Sequence, residues 1–442
     1  MADHDPYRKV LFIAYYFPPM GLSGVQRTVK FAKYLPQYGW KPTVLTVAPT
    51  GYYAFDNTLL AEIESAGVEI VRTSSLDANR MFAASKPVKM PSERVRRLLQ
   101  FGGDFIFIPD TKIGWKSRAV RAGKELFARE RFDLIFATAP PQTDFLIGCE
   151  LKRSTGIPLV VDYRDAWLDY PFKYFPTPFH RYWHRRLERR VLKAADRVLV
   201  THRRVKEQIL RRNHTMTYHD VVILSQGFDA EDFVDVSLPK PPAPGRMRIT
   251  HSGTFYADRS PAVILHALAN LVAAHPRLRG RIELNLVGTI REEDRLLVQK
   301  LNIQDMVAFQ GYLPHREAVA HLVASDLLWF VIDNDYQTPG KLYEYFGARK
   351  PILASVVDGY TRQLIEEYEG TACVALNDVA AHEQALLGLF DAFEHRRLPR
   401  VNGEAARRYD RFTLTGELAK QFESLMDFDR QSVVQAQEGD SR

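Results

Sequence analysis

Several short segments carry residue types whose spacing suits the handling of phosphate. The most informative is Gln337 to Pro351, QTPGKLYEYFGARKP. Thr338 is a good helix N-cap and Pro339 fits the first helical position, so Lys341 is expected as the third helical residue. A cation in a first turn opposes the helix dipole, where an acid is normally favoured. A bound anion removes the conflict. Gly340 lets it approach the backbone, the free N–H groups point at it, and Lys341 adds charge. Glu344 follows Lys341 by three residues and shares its helical face. A carboxylate one turn below a phosphate can accept hydrogen bonds from a ribose diol. The plain alternative is a solvated Lys–Glu pair on an ordinary helix.

Pro158 to Tyr170, PLVVDYRDAWLDY, sets Asp162, Arg164 and Asp165 behind a buried strand. Two acids flanking an arginine can hold it still, or leave one carboxylate free for chemistry. The alternative is a salt-bridged loop beneath Trp167. Near the N-terminus, Gly21 and Gly24 form a loop whose spacing is neither a dinucleotide fingerprint nor a phosphate loop. Ser23 is placed to cap the helix that follows, and Arg27 in its first turn raises the same anion question as Lys341. The histidines show no metal-binding spacing, and His251, at a strand end, reads either as a packed residue or as one that reaches the cleft.

These residues need a frame. Lys9 to Tyr15 reads as a buried strand, Gln26 to Tyr38 as a helix stopped by Gly39, and Pro42 to Val47 as the next strand. Further strands are expected at 68–72, 134–137, 159–161, 197–201 and 221–224, with helical patterns between most of them. Leu238 to Arg246, LPKPPAPGR, is proline-rich and aperiodic, as in a linker. A second alternation follows, with strands at 247–251, 283–287, 307–309, 327–332 and 351–354. Strands alternating with helices form parallel βαβ units. Ligands then sit beyond the strands' carboxyl ends, in the loops that carry the residues above.

The chain has 442 residues, 46% hydrophobic and 26% charged. Such a composition excludes a mainly disordered, collagen-like or coiled-coil protein. Cys149 and Cys373 are the only cysteines, which excludes a disulfide framework and a cysteine-based zinc site. The apolar run Val10 to Phe17 is shorter than a signal peptide requires, so the expected location is cytoplasmic, with peripheral contact to the inner face of the cytoplasmic membrane. The net charge is +7, and between Arg181 and Arg212 twelve Lys or Arg stand against Glu188, Asp196 and Glu207. This basic run reads as a solvated helix face or as a contact for anionic lipid heads. Val88 to Phe101 is a second basic and apolar stretch suited to an interface. No nucleic-acid module is recognisable.

The Thr338–Tyr345 segment resembles the donor-binding helix of retaining GT-B glycosyltransferases, in particular the family 4 group. That family usually has two glutamates eight residues apart; Glu344 matches the second, and Tyr336 stands at the first. Ile223 to Phe233, ILSQGFDAEDF, is similar to the signature that closes the family's first domain, with Gln226 in place of the usual Asn. Thr250 to Leu268 resembles the opening of its second domain. There the family commonly has an Arg after the glycine and a Lys five residues later; this chain has Thr254 and Arg259. Leu286 to Gly288 and Phe309 to Tyr312 match two further landmarks. The resemblance extends over nearly the whole chain.

The resemblance implies an α/β protein of GT-B fold: two Rossmann-like parallel-sheet domains facing across a cleft, with a C-terminal helix crossing back to the first. The expected boundaries are 1–236 for the acceptor domain, 237–246 for the linker and 247–405 for the nucleotide-sugar domain. The returning helix is expected at 406–430 and a disordered tail at 431–442. The implied activity is transfer of a sugar from a nucleotide diphosphate sugar to an acceptor hydroxyl, with retention and without metal, in polysaccharide, glycolipid or other glycoconjugate synthesis. The donor site would comprise Gly253, Thr254, Arg259, Gly288, Thr338, Pro339, Gly340, Lys341, Leu342 and Glu344. Gly21, Ser23 and Gly24 would line donor phosphates and acceptor. Asp162, Arg164 and Asp165 would be catalytic, with Asp165 as the base. No bound cofactor is expected; the co-substrate is a UDP-sugar first, a GDP- or dTDP-sugar next. The partners are a sugar or lipid-linked acceptor and an anionic membrane surface, with no nucleic acid. The rivals are an epimerase or hydrolase of the same fold and a non-catalytic polyanion-binding protein.

Overall fold

The computed structural model describes residues 6–21, 23–49, 55–77, 101–170, 173–255, 259–335, 339–399, 401 and 403–439; the side chains of residues 23 and 428–439 are outside the description. The chain divides into two units, Met1–Ser225 with Arg411–Arg442, and Gln226–Asp410.

The first unit is built on a seven-stranded sheet: β1 (Arg8–Ile13), β2 (Trp40–Val47), β3 (Glu69–Thr73), β4 (Leu134–Ala139), β5 (Leu159–Tyr163), β6 (Arg197–Val200) and β7 (Val221–Ile223). The spatial order is β3-β2-β1-β4-β5-β6-β7, and all pairs are parallel. Its helices are α1 (Ser23–Tyr34), α2 (Asn57–Ser65), α3 (Lys116–Arg129), α4 (Thr143–Thr155), α5 (Pro178–Ala194) and α6 (Arg203–Arg212). Every residue of β4, LIFATA, is buried, as expected of a parallel strand covered on both faces. The helix expected over 26–38 starts at Ser23 and tightens into a 3-10 turn at Leu35–Tyr38. Pro36 has no N–H for an α-helical bond, and Gly39 at φ 78 ends the turn.

The second unit has six parallel strands: β8 (Met247–Ser252), β9 (Ile282–Val287), β10 (Val307–Gly311), β11 (Leu327–Ile332), β12 (Ile352–Val356) and β13 (Thr371–Ala375), in the order β10-β9-β8-β11-β12-β13. Its helices are α7 (Ala262–Ala274), α8 (Glu292–Lys300), α9 (His315–Val323), α10 (Gly340–Ala348), α11 (Tyr360–Glu366) and α12 (Val379–Glu394). Residues 226–236, expected in the first domain, group with this unit. Phe228 and Phe233 pack with Tyr343, Phe346 and Ile332, and Gly347 leaves them room: a Cβ there would stand 2.6 Å from both rings.

After Asp410 the chain returns to the first unit as α13 (Arg411–Gly439). Leu414, Leu418, Ala419 and Phe422 bury one of its faces among Val29, Trp40 and Phe136. Helix continues past 430, where a disordered tail was expected; the run from 431 contains no helix breaker before Gly439.

The strand order reverses direction between β1 and β4 in one sheet and between β8 and β11 in the other. At such switch points the connecting loops diverge, leaving a crevice at the strands' carboxyl ends.

Candidate functional site

In the second unit, the loops after β8 and β11 flank the switch point. The β8 loop carries Gly253, Thr254 and Arg259. Gly253 and Gly288 meet back to back: a Cβ on Gly288, at φ 129, would stand 2.1 Å from the Gly253 carbonyl oxygen. Only glycine fits such an approach. Gly253 N–H donates to Val287 at 2.8 Å, and Gly288 N–H to Gly311 at 2.7 Å, so the ends of β8, β9 and β10 are tied together.

Helix α10 faces them. Pro339 occupies the N-cap with extended ψ of 140°, rather than the first helical position, so helix begins at Gly340 and Lys341 is its second residue. Thr338 lies outside the described residues. No side chain caps this helix start among the described residues. Leu342 was expected at the donor, but its side chain lies in the core and its N–H donates to Pro339 carbonyl; an apolar residue at that phase of the helix faces the sheet. Lys341 Nζ donates to Glu344 Oε2 at 3.0 Å. Glu344 is buried, and its other oxygen, Oε1, has no hydrogen-bond partner among the described residues.

Arg259 is buried and donates to Asp333 Oδ1 at 2.8 Å, just past β11. Burial alone would raise the Asp333 carboxyl, but the hydrogen bond and charge of Arg259 overcome it and hold it low. His251 donates through Nδ1 to Trp329 carbonyl at 3.0 Å and stacks on Phe255. Burial, with smaller contributions from Lys341 and Arg259, pushes its pKa down to about 4. It is therefore neutral, and both expected cations act on the same ring. Tyr345 hydroxyl accepts from Ser252 N–H at 2.8 Å and donates to Trp329 carbonyl at 3.2 Å, stapling α10 to the end of β8 and the middle of β11.

In the first unit the arrangement differs from expectation. Arg27 is fully buried. Its Nε and Nη2 grip Asp162 at 3.1 and 2.9 Å, and its Nη1 and Nη2 reach the carbonyls of Ser225 and Leu224. Thr138 hydroxyl donates to the same carboxylate at 2.8 Å. Both residues, expected to face a ligand, are engaged with each other inside the unit. Four of the five Arg27 N–H donors are committed to these partners, and Asp162, inside β5, is fully buried among them.

Arg164 also acts internally, donating to the carbonyls of Gly24 and Pro140. It thereby joins the start of α1 to the loop after β4. Gly21 is buried, Gly24 is the second residue of α1, and the side chain of Ser23 is outside the description. Asp165 is different: it is half-buried and makes no hydrogen bond or ion pair among the described residues. Burial raises its pKa, against the pull of Arg164. Asp144 lies near Arg164 and Asp110, and burial raises both acids. Tyr15 N–H donates to Asp144, while Thr143 N–H and hydroxyl donate to Asp110.

Residues 24–227 match the glycosyl transferase 4-like domain, and residues 246–392 match the glycosyl transferases group 1. The chain belongs to the group 1 glycosyltransferases of GT-B fold. No curated protein sequence matches it. Similar solved structures include Anabaena HepE in complex with UDP and glucose, 14% identical with TM-score 0.64, covering 95% of this chain and 100% of that one. The sucrose-phosphate synthase of Thermosynechococcus elongatus is 15% identical with TM-score 0.62, covering 95% and 99%. WaaG, a glycosyltransferase involved in lipopolysaccharide biosynthesis, is 16% identical with TM-score 0.59, covering 93% and 99%.

This glycosyltransferase is thus a sugar-transferring enzyme, and the epimerase, hydrolase and polyanion-binding alternatives are not favoured. Sequence reasoning missed several residues of this unit's site: Tyr345 beside Glu344, Asp333 on Arg259, and His315 at the start of α9. His315 carried a signal of the same kind as Lys341, a basic residue in a helix's first turn.

Proposed function

We propose that the second unit holds the diphosphate of a nucleotide sugar between the Pro339–Lys341 helix start and the Gly253–Thr254 and Gly288 loops. Glu344 then takes the ribose diol through Oε1. The observation that carries this reading is the buried Glu344 carboxylate, with one oxygen hydrogen-bonded to Lys341 and the other without a hydrogen-bond partner among the described residues. An acceptor oxygen shut away from water costs free energy unless a donor arrives. UDP is the favoured nucleotide because HepE, of similar fold, was solved with UDP and glucose. Growing negative charge on the leaving diphosphate is stabilised by amides and Lys341 already in place, so transfer proceeds without metal. Arg259 adds charge, moderated by Asp333. Retention of configuration rests on the family resemblance.

In the first unit, Asp165 is the group proposed to face the acceptor hydroxyl, on a loop that Arg164 holds to Gly24. The acceptor is a sugar or a lipid-linked sugar, at the inner face of a membrane, in glycoconjugate synthesis. The support is α5. Thr177 caps it and Pro178 opens it. Its outer face exposes Phe179, Tyr182 and Trp183 beside Arg181, Arg185, Arg186, Arg189 and Arg190. Phe105 and Ile106 are exposed too, and Phe105 packs 5.3 Å from His180 on the same helix. An aromatic patch rimmed by arginine suits anionic lipid. No helix among the described residues is long and apolar enough to cross a membrane. Of the second basic stretch, residues 88–100 lie outside the described residues.

Calorimetric titration of UDP tests the donor site. Lys341→Ala should weaken UDP and inorganic pyrophosphate alike, whereas Glu344→Gln should weaken UDP far more than pyrophosphate. Unchanged UDP affinity in both variants would end the assignment.

A further inference from the structure

Helix α9 begins with His315, behind Pro314 and with no side-chain cap. A basic residue there opposes the helix dipole, so its surroundings must account for it. His315 is almost enclosed. Its Nε2 lies 2.8 Å from Asp232 Oδ2, in the 3-10 turn Ala230–Phe233. Its other nitrogen, Nδ1, lies 3.9 Å from Glu344 Oε1, the oxygen without a hydrogen-bond partner.

We propose that His315 is a positioning residue for donor binding: anchored by Asp232, its ring stands as a cation behind Glu344 and keeps Oε1 aimed for a ribose diol. The proposal rests on the ribose reading of Glu344. Lys341 holds Oε2, and without a second charge behind it the buried carboxylate could turn so that both oxygens meet Lys341. A cation 3.9 Å away is too far for a hydrogen bond, so it attracts Oε1 without occupying it.

The charged neighbours support the cationic state. Burial alone would lower the His315 pKa, but the Asp232 hydrogen bond, Glu344 and the Asp232 charge together raise it, against Lys341. The elements packed on α9 are α10, the 3-10 turn and β8. Lys341 and Glu344 come from α10 and Asp232 from the turn. β8 carries Arg248, paired with Glu283, and His251, bonded to Trp329 carbonyl.

The test is UDP affinity by calorimetry on the full chain, across pH, with inorganic pyrophosphate as the control ligand. Wild-type affinity should fall as pH rises through the raised His315 pKa. His315→Gln should lose that step and bind UDP roughly ten- to a hundredfold more weakly, the loss that goes with one charge-assisted hydrogen bond. Its pyrophosphate affinity should stay at the wild-type value. His315→Lys, charged throughout this range, should restore part of the UDP affinity without the step. Asp232→Asn keeps the ring and should move the step to lower pH, because the carboxylate that raises the pKa is gone. The phosphate's own titration is common to all variants and cancels in the comparison. Equal loss of UDP and pyrophosphate, or a wild-type pH profile in His315→Gln, would overturn the proposal. Glu344→Gln separates the two levels. If it binds UDP as tightly as wild type, the ribose reading fails; if it weakens UDP while His315→Gln does not, only the role of His315 fails.

Discussion

Replacing Asp162 and replacing Asp165 should have opposite consequences, although the two acids are three residues apart. Asp162 accepts two bonds from Arg27 and one from Thr138, with both members of the ion pair only 1% exposed. In Asp162→Asn the Arg27 guanidinium keeps the Ser225 and Leu224 carbonyls but faces an amide in place of its counter-ion. Breaking one side of a buried pair costs about 3–5 kcal/mol. The retained carbonyls and the amide oxygen favour the lower end, about 3 kcal/mol. For a unit of this size each kcal/mol moves the midpoint by about 2–4 °C, which gives a Tm lower by about 6–12 °C. Asp165 has no such partners, and burial raises its pKa. A carboxyl raised on folding disfavours the folded state once ionised, so at neutral pH Asp165→Asn should leave Tm unchanged or slightly higher. Its transfer activity should nevertheless collapse, while Asp162→Asn should retain turnover per folded molecule at a permissive temperature. Scanning calorimetry and donor-consumption assays on both variants decide the matter. An Asp162→Asn protein with wild-type Tm and no activity would refute the structural role given to that residue.

Vesicles containing phosphatidylglycerol should float the protein at low salt, and Arg186→Glu with Arg189→Glu should abolish flotation; equal binding to neutral vesicles would contradict the lipid contact. Gly288→Ala should lower Tm and abolish UDP binding, since backbone strain alone costs roughly 1–3 kcal/mol before the Cβ meets Gly253; wild-type values for both would refute the close approach. His251 and His184 are lowered mainly by burial to about 4 and about 3, and Trp167 Nε1 donates to His184 Nδ1. Both folded-state values lie below the usual 6.5, so this stability is whole above pH 6.5 and is lost as pH falls toward 4 and 3. His184→Gln should make Tm less steep between pH 6 and 4, and an unchanged slope would count against a neutral buried His184.

What could be read from the sequence was whatever has a local cause. The buried strand runs announced both parallel sheets, and each expected strand has a counterpart. β13, TACVA, escaped because its burial is shallow: Val374 alone is buried, and alanine and threonine carry little apolar signal. Lys341 was legible because its conflict with the helix dipole arises within one turn. The roles of Arg27 and Asp162 were not. Arg27 looked like a second Lys341, but its counter-ion lies 135 residues away on β5, a distance that no local pattern spans.

That contrast bears on how the donor's charge is met. A basic residue at a helix start signals a missing anion only if the fold does not bring an acid to it. Arg27 is answered by Asp162, Arg259 in large part by Asp333, and His315 by Asp232. Lys341 is answered too, by Glu344, but that carboxylate has a second oxygen left over. The cluster of Lys341, Glu344, His315 and Asp232 therefore holds its charges in rough balance and still presents an unsatisfied acceptor. An anion added at the Lys341 amino group would draw it from Glu344 and leave both oxygens open. Diphosphate and ribose should thus bind with positive coupling through this one side chain. The coupling predicts that pyrophosphate will tighten uridine binding in the wild type and that Lys341→Ala will abolish this effect; wild-type uridine affinity indifferent to pyrophosphate would refute it.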